Sequence, residues 1–158
     1  MKILLVDDEE TLLEYLSKRL LKEGLTVKAT FSGEEAVKVA GGENFDVAVV
    51  DLKMPGIDGV ETQKRLKEVQ PFLQCIVLTG HGSVESALES GQQNAFQYLL
   101  KPIDYDTLVI AIKDAHQKKM DMENAKFRDE VEKIYVSGLG ARGIKKAINK
   151  LRNLYGMD

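Results

Sequence analysis

Asp46-Val47-Ala48-Val49-Val50-Asp51-Leu52-Lys53-Met54-Pro55-Gly56 is the stretch whose reading decides the fold. Residues 47–50 form a short, continuous apolar run rich in β-branched side chains, the pattern of a strand buried on both faces. Asp51 stands at its carboxyl end, and Met54-Pro55-Gly56 then turns the chain into a loop. A carboxylate at that place is costly unless a cation or hydrogen-bond donors meet it. The carboxyl edge of an open α/β sheet is also where ligand sites form. Asp51 therefore needs partners from elsewhere in the chain.

Working outward, four more strand patterns appear. Residues 3–6 are a buried run that ends in Asp7-Asp8-Glu9-Glu10, and Leu12, Leu13, Leu16 and Leu20 then recur at helical spacing until Gly24. Residues 25–31 read as a strand, and Ser32 with Glu35 forms a capping box for a helix to about Ala40. After the Asp51 strand, a helix is expected from Asp58-Gly59 to about Val69. Residues 75–78 form a fourth strand ending in Thr79-Gly80-His81-Gly82, and Ser83 caps a helix to about Gln92. Residues 96–100 form a fifth strand ending at Lys101-Pro102, and Asp104 opens a helix whose Leu108, Ile112 and Ala115 share a face. Five strand–helix alternations call for a doubly wound parallel sheet covered on both faces. Right-handed crossovers bring all its carboxyl ends to one edge.

Composition narrows the function. The chain has 158 residues, a net charge of −3 and a single cysteine, Cys75, which excludes an intrachain disulfide and a cysteine-only metal site. No apolar run approaches the ~20 residues of a membrane span. A cytoplasmic protein with no membrane partner is the expectation. Two regions are expected: residues 1–120, with 14 Lys/Arg against 19 Asp/Glu, and a helical extension over residues 121–158, with 8 against 6. In the extension the last helix continues to about Val136. Ser137-Gly138-Leu139-Gly140 then breaks it, and a basic amphipathic helix follows with Ile144, Ala147, Ile148, Leu151, Leu154 and Tyr155 on one stripe.

The strand ends deliver Asp7 and Asp8, Asp51, Thr79 and Lys101 to one edge. Three carboxylates raise one another's pKa unless a cation joins them. Hard oxygen ligands of this kind suit Mg²⁺, which keeps waters for a phosphate. Lys101 adds a mobile positive charge and Thr79 a hydroxyl donor, a set able to hold a phosphoryl group against Asp51 as nucleophile.

Asp7-Asp8, Asp51 followed by Met54-Pro55 and Gly59, Thr79, and Lys101-Pro102 together resemble the receiver domain of two-component response regulators. The resemblance covers about residues 1–120. It implies a flavodoxin-like five-stranded sheet of order 2-1-3-4-5 and a phosphorelay role, in which Asp51 accepts a phosphoryl group from a sensor histidine kinase or a histidine phosphotransfer protein. It implies Mg²⁺ held by Asp8, Asp51 and the Lys53 main-chain carbonyl, with Asp7 acting mainly through water. It also implies a cis Lys101-Pro102 bond and a switch pair, Thr79 and Tyr98. Lys53 and His81, two residues beyond Asp51 and Thr79, are expected to tune the lifetime of the acyl phosphate.

Four functions are weighed. A phosphorylation-driven switch acting on a downstream protein or a second copy of the chain fits best. A haloacid dehalogenase-type phosphohydrolase would want an acid where Lys53 stands, so turnover of a small substrate is not expected. A flavin carrier would want a hydroxyl-rich loop where the chain has acids. A DNA-binding regulator rests only on the basic helix of the extension, where residues 139–158 carry five cations and one acid. The simpler expectation for that helix is docking on protein.

Overall fold

The computed structural model describes residues 1–80 and 95–157. Strands β1 (Lys2–Val6), β2 (Thr26–Thr30), β3 (Val47–Asp51), β4 (Gln74–Thr79) and β5 (Gln97–Leu100) form one parallel sheet in the order β2-β1-β3-β4-β5. Helices α1 (Glu10–Lys22), α2 (Gly33–Ala40), α3 (Gly59–Val69) and α4 (Tyr105–Tyr135) connect or follow the strands, and α5 (Ala141–Tyr155) comes last. The doubly wound parallel sheet read from the strand runs is observed, in the flavodoxin-like 2-1-3-4-5 order that the family resemblance implies. The helix expected between Ser83 and Gln92 lies outside the described residues.

Alternation along the strands divides the core between two faces. Ile3, Leu5, Val47, Val49, Ile76 and Leu78 pack with Leu13, Leu16 and Leu20 of α1 and with Leu108, Ile112 and Ala115 of α4. Leu4, Val6, Ala48, Val50 and Cys75 face Ala36 and Ala40 of α2 and Leu66 of α3. Central β1, β3 and β4 are covered on both sides, which is why their sequences are continuous apolar runs rather than alternating ones.

Register sets the site. Val6 pairs with Val50, Asp51 with Leu78, and Thr79 with Leu100. Asp7 is therefore level with Asp51, and Lys101 lies one step beyond Thr79. Local chemistry ends the elements where the sequence suggested. Gly24, with φ +81°, follows α1. Ser32 Oγ accepts the Glu35 N–H at 3.1 Å, but the Glu35 carboxylate returns to the Phe31 N–H rather than to Ser32. Asp104 Oδ2 accepts the Thr107 N–H at the start of α4.

The chain divides into two compact units, Met1–Lys119 and Met120–Asp158. The second holds the distal part of α4 and all of α5. Phe127 and Tyr155 meet edge to face, with ring centres 5.8 Å apart, and Tyr155 bonds Glu130. Among its described residues none is buried. Leu154, expected on the apolar stripe, is 76% exposed. Tyr155 takes the place against Phe127, and the 100° step to its neighbour turns Leu154 outward.

Candidate functional site

Asp51 ends a wholly buried strand and is itself only 7% exposed. The loop after it is short and tied at its base: Leu52 N–H donates to Leu78 O and Gly59 N–H to Leu52 O, both at 2.8 Å. Gly59 opens α3 so close to the strand end that a Cβ there would lie 2.4 Å from the Asp51 carbonyl oxygen. Only a glycine allows that approach. Its backbone φ is not what demands it; the crowding is.

Asp7 follows β1 and is 2% exposed, with its Oδ1 accepting the Glu9 N–H at 2.9 Å. Asp8 is exposed. Carboxylate oxygens of Asp7, Asp8 and Asp51 all lie within 4.8 Å of one another. The Lys101 ammonium reaches into this group, 3.0 Å from Asp7 Oδ2, 3.2 Å from Asp51 Oδ1 and 3.3 Å from Glu9 Oε1. The Lys101-Pro102 bond is cis.

The charges are not balanced. Burial, and then the neighbouring Asp7 carboxylate, push Asp51 up to about 6, although Lys101 pulls it down. Burial alone would lower the Lys101 pKa, but Asp7 and Asp51 outweigh it and hold the ammonium above its ordinary value. Four acids around one lysine leave an excess of negative charge, which a divalent cation with hard oxygen preference would neutralise. The donor set therefore fits such an ion.

Thr79 ends β4 and is buried, its hydroxyl donating to Gly80 O at 3.2 Å. Tyr98 stands opposite Val77 in the register, so it shares a sheet face with Val77 and Thr79. It is partly buried, and burial raises its phenol pKa. Lys53 is exposed in the loop after Asp51. His81 lies outside the described residues. The structure thus gathers Asp7, Asp8, Asp51 and Lys101 directly, with Thr79 at the same sheet edge. Sequence reasoning missed Glu9. Its signal was present in the acid run after β1, but which acid of the run reaches Lys101 is decided by the turn leading into α1.

A family model described as the response regulator receiver domain matches residues 3–113. The chain belongs to that family. It is 37% identical over 129 residues to the transcriptional regulatory protein GlrR of Escherichia coli (strain K12), covering 82% of this chain and 29% of that protein. It is 29% identical over 149 residues to the DNA-binding transcriptional regulator NtrC of the same organism, covering 92% and 32%. The chain thus spans less than a third of the length of these curated relatives. A receiver domain structure from Clostridium thermocellum superposes with a TM-score of 0.71 at 33% identity, covering 77% of this chain and 98% of that one. The response regulator TrrA of Thermotoga maritima, solved with Mg(2+)-BeF, gives 0.64 at 32% identity, covering 72% and 97%. Among the described residues no helix of this receiver is long and apolar enough to cross a membrane.

Proposed function

We propose that this receiver accepts a phosphoryl group on Asp51 from a phosphohistidine of a sensor kinase or phosphotransfer protein. The observation that carries the reading is the meeting of Asp7, Asp8 and Asp51 oxygens within 4.8 Å, with the Lys101 ammonium on Asp7 and Asp51. In the transfer, an Asp51 oxygen forms a bond to phosphorus as the P–N bond breaks, and the imidazole leaves with its electron pair and takes up a proton. Asp8, Asp51 and the Lys53 carbonyl would hold Mg²⁺, with Asp7 acting mainly through water; when bound, the ion supplies positive charge to the phosphoryl oxygens. The TrrA relative was solved with Mg(2+)-BeF, which supports this assignment.

Lys101 donates to the same oxygens once the phosphoryl group competes for it with Asp7 and Glu9. Thr79 turns its hydroxyl from Gly80 O toward that group, and Tyr98, on the same sheet face, follows. The change shifts an existing equilibrium between two surfaces, which a downstream protein or a second copy reads. Lys53 and His81 tune the lifetime of the acyl phosphate, so replacing either alters its rate of decay. No small-molecule turnover is assigned. DNA binding is a second reading, favoured by one observation: α5 carries Arg142, Lys145, Lys146, Lys150 and Arg152 and no acid. Salt-dependent retention of duplex DNA by the purified chain would favour it.

The test is treatment with a small phosphodonor and Mg²⁺, followed by intact-mass measurement. Wild type gains one phosphoryl group and Asp51→Ala gains none. An unmodified wild type, or equal labelling of Asp51→Ala, sinks the proposal.

A further inference from the structure

The loop of residues 52–58 leaves a buried strand and turns sharply at Gly56, and the proposed cation site draws on its Lys53 main-chain carbonyl. Its base is closed by the Gly59-to-Leu52 hydrogen bond. Its far side is held by a residue from another element. Glu34, in the first turn of α2, accepts the Ile57 N–H on Oε1 at 2.9 Å. Gly56, beside it, has φ +79°, and a Cβ there would fall 2.4 Å from Glu34 Oε1 and 3.0 Å from Cδ. The carboxylate therefore lies flat against a left-handed glycine and occupies the space a side chain would need.

The base from which Glu34 reaches is rigid. Ser32 caps α2 through the Glu35 N–H. A Cβ on Gly33 would stand 2.0 Å from Thr62 Oγ1 and 2.6 Å from Ile57 Cγ1, so the start of α2 abuts both the loop and α3. Thr62 is itself fixed, donating from Oγ1 to Asp58 O at 2.7 Å. The Ile57 N–H, followed by the Glu34 N–H and Arg65, holds the Glu34 carboxyl below its ordinary value, so the acceptor is ionised at neutral pH.

We propose that Glu34 is a positioning residue for the cation site: by gripping Ile57 N–H and seating Gly56, it sets the 52–58 loop so that the Lys53 carbonyl is in place before the ion arrives. This rests on the cation-site reading of Asp7, Asp8 and Asp51. Glu34 is exposed and touches neither the ion's carboxylates nor the phosphoryl position. It acts through the backbone, as outer partners of metal ligands generally do. Water can replace it as a partner of Ile57 N–H, but water does not fix a loop.

The experiment is a Mg²⁺ titration of the full, unphosphorylated chain by calorimetry, with amide hydrogen exchange of the metal-free protein. Wild type, Glu34→Ala, Glu34→Gln and Asp8→Asn are compared. Glu34→Ala is expected to bind Mg²⁺ roughly tenfold more weakly and to exchange faster at residues 53–57 but not in β1 or β3. Glu34→Gln, which keeps an acceptor oxygen, restores wild-type affinity and protection. A Glu34→Ala protein that binds Mg²⁺ as wild type does, even with a lowered unfolding midpoint, overturns the proposal. Failure of Glu34→Gln to rescue overturns it too. Asp8→Asn separates the two levels. If it binds Mg²⁺ unchanged, the cation site itself is misassigned. If it loses Mg²⁺ while Glu34→Ala does not, only the role of Glu34 is wrong.

Discussion

Asp51 is held in a conflict that defines the site at the residue scale. A carboxyl pushed up to about 6 by burial and by Asp7 binds its proton more tightly in the folded chain than in the unfolded one. Between the ordinary value of 3.8 and about 6 the native state holds more protons, so stability of the metal-free protein falls as pH rises through that window. The loss is complete above it. Removing the charge without changing the shape should reverse it. Asp51→Asn is expected to be about 1–2 kcal/mol more stable than wild type at pH 7.5 without metal, read as a higher urea midpoint, with no advantage at pH 3.5. Equal midpoints at pH 7.5 would show that Lys101 already cancels the repulsion. The same residue shows the limits of sequence. That Asp51 needed a partner was legible from its place at the end of a buried strand. That Lys101 would divide itself among Asp7, Glu9 and Asp51 was not, because the three acids come from two segments whose spacing only the sheet register sets.

Elements meet at this site through glycines more than through side chains. Gly59 was visible in the sequence as part of a motif, but its reason is the approach of the α3 start to the Asp51 and Leu52 backbone, where a Cβ would lie 2.4 and 2.7 Å from main-chain atoms. Backbone on both sides leaves little room to give. Gly59→Ala should therefore destabilise the fold by about 1–3 kcal/mol and weaken Mg²⁺ binding, because relief requires moving Asp51 itself. Chemical denaturation with and without Mg²⁺ checks this; a variant within experimental error of wild type on both measures would contradict it. Helix ends were the most legible feature at this scale. Ser32, Asp58 and Asp104 cap where their side chains can reach an N–H three residues on, a purely local matter. The Glu34 contact to Ile57 was invisible for the opposite reason: it joins residues 23 apart in the chain, and no periodicity encodes it.

For the molecule as a whole, buried apolar residues end at Ala115. The unit Met120–Asp158 has none among its described residues, and helices with so little burial gain little stability from packing. Truncation after Lys119 is expected to leave a cooperatively folded receiver with wild-type Mg²⁺ affinity, whereas the separate peptide of residues 120–158 shows reduced helicity by circular dichroism. Lys119 must stay, since its ammonium bonds Phe45 O at 2.8 Å and Asp46 at 3.2 Å. A truncated chain that unfolds early or loses Mg²⁺ binding would show that the extension supports the site.

The amino-acid sequence by itself determined the kind and order of the described elements, the side-chain caps of α2, α3 and α4, and the residues at the strand ends. Those depend on hydrophobic period and on hydrogen bonds spanning a few residues. Tertiary structure alone decided which acids share Lys101, why residue 59 must lack a side chain, and that an α2 carboxylate steadies the loop after β3. These are meetings between distant segments at ångström spacing, and it is the packing of helices against a registered sheet that sets such distances.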